Sequence, residues 1–187
     1  MKLLVSSLFC FLCSIFLFSC GSDDYNYTPP EYHLFSTDVL LSIETSDGKL
    51  YEGYETLLKN KQISMRGVAS RSNLPLKIVE DGGIKYLQFY AELPNRSDMK
   101  YSKVDEQHTL VTGSSDVILK IDEKEIRLTC FFEGGEFNIP MYADPVISVT
   151  AIQYGDRVVK RDFAATAGKY KITLRKKADS DDFILTD

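Results

Sequence analysis

An all-β fold, an antiparallel β-sandwich with at most one or two short helices, is the expectation that the sequence supports, on three observations. Apolar residues recur at every second position through most of the chain beyond residue 37. Glycine-bearing turn sequences separate the alternating runs, and no stretch keeps helical spacing for more than about two turns. A parallel sheet would need crossover helices between its strands, and the pattern offers none.

The elements follow in order. Val39, Leu41 and Ile43 alternate with Asp38, Ser42 and Glu44, which predicts a strand, and Ser46-Asp47-Gly48-Lys49 supplies a turn. Residues 52–61 place Tyr54, Leu57 and Leu58 at helical spacing, a helix of about two turns that needs packing to persist. Leu76 and Ile78 lead through Asp81-Gly82-Gly83 into the aromatic-rich run 84–91, a hairpin. After Pro94, residues 97–107 are read as a second short helix. Val117, Leu119 and Ile121 pass through Asp122-Glu123-Lys124-Glu125 to Ile126, Leu128, Cys130 and Phe132, a hairpin with both apolar faces on one side.

Residues 146–154 turn at Gly155-Asp156 and return as 157–163, and a last strand places Tyr170, Ile172 and Leu174 on one face. Turns are also expected at Gly113, at Glu133-Gly134-Gly135-Glu136 and at Gly168. Roughly ten strands result, in keeping with an immunoglobulin-like or transthyretin-like sandwich. Residues 37–187 are expected to form a single domain, the alternative being two small β units divided near residues 94–106.

Composition sets outer limits on function. The 187 residues are 44% apolar and 26% charged, so the chain can bury a core and is not a disordered one. With a formal net charge of −5 it lacks the basic excess that attracts a phosphate backbone, which argues against nucleic acid as a partner.

The N-terminus carries the most specific signal. Lys2 is followed by an apolar run from Leu3 to Phe18, interrupted only by serines and by Cys10 and Cys13. A spanning helix needs about 20 apolar residues, so a secretory signal is the expected reading. Leu17-Phe18-Ser19-Cys20-Gly21 resembles the lipobox of bacterial lipoproteins, with Phe18 bulkier than the usual residue there. That resemblance implies removal of residues 1–19, acylation of Cys20 by palmitate-like chains, and anchorage of the mature chain to a membrane by lipid.

Gly21-Ser22-Asp23-Asp24 resembles the export signal behind the acylated cysteine of Bacteroidota-type surface lipoproteins, through Ser22, Asp23 and Asp24. It implies an outer-membrane location facing the cell exterior. Residues 20–36, with Thr28-Pro29-Pro30, read as an extended tether. After processing, Cys130 is the one remaining thiol, which leaves no partner for an internal disulfide.

Catalytic chemistry finds no motif. His33 and His108 are the two histidines and have no metal-ligand spacing around them. Gly113-Ser114-Ser115 lacks the nucleophile elbow of a serine hydrolase, and Cys130 falls on an apolar alternation, the setting of an inert core thiol. Asp179-Ser180-Asp181-Asp182 lacks the glycine and distal glutamate of a calcium loop and reads as a solvated acidic tail compensated by Arg175, Lys176 and Lys177. No metal or cofactor is implied.

Tyr86, Gln88 and Tyr90 share a face opposite Leu87, Phe89 and Ala91. The row is either a face for a glycan or protein ligand or a packing row, the plainer reading. The expected function is a non-catalytic binding, adhesion or accessory module of the cell envelope, with a glycan or an envelope protein as partner. The alternatives are a surface-fibre subunit that exchanges strands and a glycan-active enzyme working through two carboxylates.

Overall fold

The computed structural model describes residues 35–105, 108–137, 146–162 and 170–186. In chain order its elements are β1 (Phe35–Ser36), β2 (Asp38–Glu44), α1 (Tyr54–Lys59), β3 (Ile63–Gly67), β4 (Asn73–Leu74), β5 (Lys77–Asp81), β6 (Ile84–Tyr90) and β7 (Lys100–Lys103). They continue with β8 (His108–Ile121), β9 (Lys124–Phe137), β10 (Val146–Tyr154), β11 (Arg157–Lys160), β12 (Tyr170–Lys176) and β13 (Phe183–Thr186). The strands form two sheets rich in antiparallel pairs, as the alternation predicts.

The larger sheet is built on the consecutive strands β8, β9 and β10. β1 and β11 share the free edge of β10, while β3 and β7 share the far edge of β8, with β4 outside β3. The smaller sheet has the order β13-β12-β2-β6-β5. Strands from either side of residues 94–106 therefore pair in both sheets. β2 runs parallel to β12 and β1 parallel to β10, two departures from a wholly antiparallel arrangement.

Register follows from burial. In the β8–β9 hairpin Leu119 faces Ile126, Val117 faces Leu128 and Ser115 faces Cys130, so one face of both strands points inward. Val39, Leu41, Leu87, Phe89, Ile172 and Leu174 of the smaller sheet join them in one core cluster. A one-residue slip would turn every one of these side chains to water, which is why the pairing is held. The turns supply the matching geometry. Gly82 and Gly83 both have positive φ (62° and 79°), as a two-residue hairpin of type I′ requires between Asp81 and Ile84.

One hydrogen bond joins the two layers, and two more brace the larger sheet. Tyr170 of β12 donates its hydroxyl proton to the Val159 carbonyl in β11 at 2.5 Å, joining the two sheets along one side. Buried Arg161 donates through Nη1 to Ser36 Oγ (3.0 Å) and to the Val149 carbonyl (3.4 Å), holding β1 beside a bulge in β10.

Tyr54, fully buried at the start of α1, accepts the Ile43 N–H at 2.8 Å and packs edge-on against Tyr51 with ring centroids 5.5 Å apart. Tyr54→Phe removes that acceptor and leaves a buried N–H without it. A loss of about 1–3 kcal/mol is expected, read as a lower denaturation midpoint with an unchanged m-value.

Several expectations are corrected. The described residues 97–105 form no second helix: Arg96–Asp98 make one 3₁₀ turn and β7 follows, because Lys100–Lys103 pair with the edge of β8. Gly113 and Gly134-Gly135 are not turns but lie inside β8 and β9, each fourteen residues long. Gly113 serves close packing: a Cβ there would meet Pro94 Cγ at 3.0 Å, so the chain leaving β6 can cross against β8.

Asp179-Ser180-Asp181-Asp182 is not a tail, since it turns the chain from β12 into β13. β13 went unread because its four residues sit behind that acidic run. Gly168 lies outside the described residues.

Candidate functional site

β2, β8 and β12 all finish at one end of the sandwich. Their continuations are the segment 45–53 into α1, the turn at Asp122-Glu123 and the turn at 177–182. Loop clusters at the end of a rigid β scaffold are common binding sites, because loops can vary while the sheets hold them in place. These three surround an open cleft of about 590 Å³. Ile43, Tyr51, Ile121 and Phe183 make its largely apolar floor, and Asp122, Glu123, Lys124, Lys176 and Asp181 lie around it. A shallower recess lined by Asp47, Lys49 and Leu50 joins it through Thr45 and Tyr51.

The rim is a set of ion pairs. Lys124 contacts Asp182 across the gap between the two turns, so the β8–β9 hairpin is tied to the β12–β13 hairpin. Lys176 meets Asp181 at 3.0 Å, Arg175 meets Glu44 at 2.5 Å, and Lys120 meets Glu123 at 3.5 Å. Asp122 accepts from Gln62 Nε2 at 2.9 Å, and Lys177 is a second, longer partner of Asp182 at 3.9 Å.

Lys124 holds the Asp182 carboxyl below its ordinary value of 3.8, and Asp182 in turn raises Lys124. A depressed carboxylate favours the folded state above its unfolded value. That contribution is lost as pH falls through the lower folded value. Both groups are exposed, so the pair orients the turns more than it stabilises the fold.

The residues singled out in the sequence fall elsewhere. Cys20, Ser22, Asp23, Asp24 and His33 lie outside the described residues, as does the side chain of His108. Tyr86, Gln88 and Tyr90 do share the outer face of the smaller sheet, while Leu87 and Phe89 point into the core. The row does not pack between the two sheets, but Tyr86 packs across the strands of its own sheet.

The three side chains are unequal. Tyr86 is 7% exposed and lies under Lys171, whose Nζ is 5.4 Å from the ring centroid and 2.6 Å from Asp81 Oδ2. Tyr90 is 47% exposed. The row presents one open tyrosine, not a stacking platform.

Cys130 is fully buried in the middle of β9, and burial first, then the nearby Asp116 charge, pushes its thiol up to about 12. Native protein at pH 8 is expected to resist iodoacetamide, and the unfolded chain to react stoichiometrically. Labelling of the native state would contradict the buried position. Among the described residues no group of three or more His, Cys, Asp or Glu is placed to hold a metal ion.

The cleft itself was not legible beforehand. Its lining comes from four separate stretches of sequence, of which only the acidic run 179–182 was weighed as a binding motif. In comparisons with known proteins, the chain matches no protein-family model, no curated protein and no solved structure.

Proposed function

We propose that this chain is a non-catalytic binding module of a bacterial cell envelope, anchored in the outer membrane through acylated Cys20, facing the exterior and taking its ligand in the end cleft. The observation that supports it most is where the chain enters the domain. The described chain enters the sandwich at Phe35 in β1, beside the start of β10, and β2 then runs seven residues from Asp38 to Glu44 at the cleft. At about 3.3 Å per residue the two points lie roughly 20 Å apart, at opposite ends of the strand. A domain tethered by its N-terminus thus presents the cleft on the end away from its point of attachment. Loops placed there are free to meet a partner, and the paired sheets beneath them limit the cost of ordering the site.

The test is capture by the full chain in detergent micelles, on a glycan array and from solubilised envelope. A reproducible ligand is expected that is lost in Lys124→Ala/Lys176→Ala and kept in Gln88→Ala/Tyr90→Ala. The reverse pattern would move the ligand face to the outer surface of the smaller sheet. Capture by neither route would overturn the binding reading.

A further inference from the structure

Resting on the cleft as the ligand face, we propose that its ligand is an uncharged, polyhydroxylated chain, a neutral saccharide. Three properties of the cleft point to that class. The first is charge. Although the whole chain carries a net −5, the carboxylates at the rim are matched by as many cations: Glu44 meets Arg175, Glu123 meets Lys120, Asp181 meets Lys176, Asp182 meets Lys124 with Lys177 at 3.9 Å, and Asp122 is held by Gln62. An anionic ligand would have to draw a lysine from its carboxylate, and a cationic one a carboxylate from its lysine. Neither meets a focused field of opposite sign.

The second property is the floor. Tyr51 and Ile121, both half-buried, offer apolar surface, which an ion such as phosphate would leave uncovered. A wholly apolar ligand would cover the floor but strip water from the ion pairs without replacing its hydrogen bonds. A sugar ring does both jobs, with C–H faces for the floor and hydroxyl groups for the rim. A paired carboxylate keeps lone pairs free to accept, and an ammonium keeps protons free to donate, so hydroxyls that are both donor and acceptor fit an alternating rim.

The third property separates a saccharide from a peptide. Peptides are commonly held by a free strand edge, a helix-length apolar groove or an aromatic-lined polyproline groove. The cleft is made of strand ends and turn side chains, and supplies none of these.

The test is titration of the full chain in micelles with neutral tetrasaccharides of glucose, galactose, mannose and N-acetylglucosamine in mixed linkages. The charged controls are tetragalacturonate and deacetylated chitotetraose, and a mixed-sequence peptide library is run in parallel. At least one neutral sugar is expected to saturate below about 1 mM. It should perturb the amide resonances of Lys124 and Phe183 and change in affinity less than twofold between low and high salt, because no net charge is exchanged.

Lys176→Ala/Asp181→Ala keeps the charge balance and changes two exposed side chains, one at the end of β12 and one in the turn after it. It should melt like the parent and bind the sugar at least fivefold more weakly. Stronger binding of either charged control, or steep salt dependence, would overturn the saccharide assignment. Peptide binding at the same resonances would overturn it too, while leaving the cleft as a binding site. Perturbation by neither sugars nor peptides would remove both.

Discussion

Replacing Cys20 with alanine is expected to move the protein from the membrane fraction to the aqueous phase, and detergent partition of wild type and variant side by side measures it. The size of the effect follows from the acyl chains. Each buried CH₂ contributes about 0.8 kcal/mol, so the two or three long chains proposed at Cys20 would supply on the order of tens of kcal/mol, enough to make attachment effectively permanent. The domain should be unaffected, because its core cluster draws on residues from Val39 onward. The melting temperature of the released variant should match that of the parent. Unchanged partition into detergent would remove lipid anchorage from the account, and with it the argument that the cleft faces outward.

Phe89→Ala should be among the most damaging single core changes, while Tyr90→Ala, one residue on, should be nearly silent. Phe89 is fully buried in β6 and points into the shared core, whereas Tyr90 is 47% exposed on the outer face. Removing a buried phenyl ring loses its transfer free energy and leaves a cavity, a combined cost of about 3–5 kcal/mol. For a domain of this size that lowers the melting temperature by on the order of 10 °C. A solvated tyrosine away from any ligand should change stability by less than about 0.5 kcal/mol. Equal effects at the two positions would mean that the assigned faces of β6 are wrong.

The same alternation explains which parts of the fold were readable in advance. Val117 to Ile121 and Ile126 to Phe132 declare a hairpin because each strand has one dry face, and period two is the local imprint of that burial. Gly82-Gly83 declares its turn because two successive positive φ angles favour residues without a side chain. Where the reading failed, a residue type had two uses. Gly113 looks like a turn glycine, yet its small size makes room for Pro94, a contact 19 residues distant in sequence that no local pattern encodes.

β7 was misread for a related reason. Its four residues are all exposed, so no burial pattern marks them, and only the unpaired edge of β8 makes them a strand. β13 shows the converse. Phe183 and Leu185 are buried, but the run is too short to stand out against the acids before it.

By itself the sequence determined the all-β class, the main hairpins and the core character of Cys130, all of which depend on neighbours a few residues apart. Only the tertiary structure decided that β2 lies parallel to β12, that the tyrosine row faces outward with Tyr86 under Lys171, and that segments from residues 43 to 183 converge on one cleft. Those features depend on which strand ends become neighbours once two sheets pack. That choice is made by burying the whole core at once, and no short window of residues carries it.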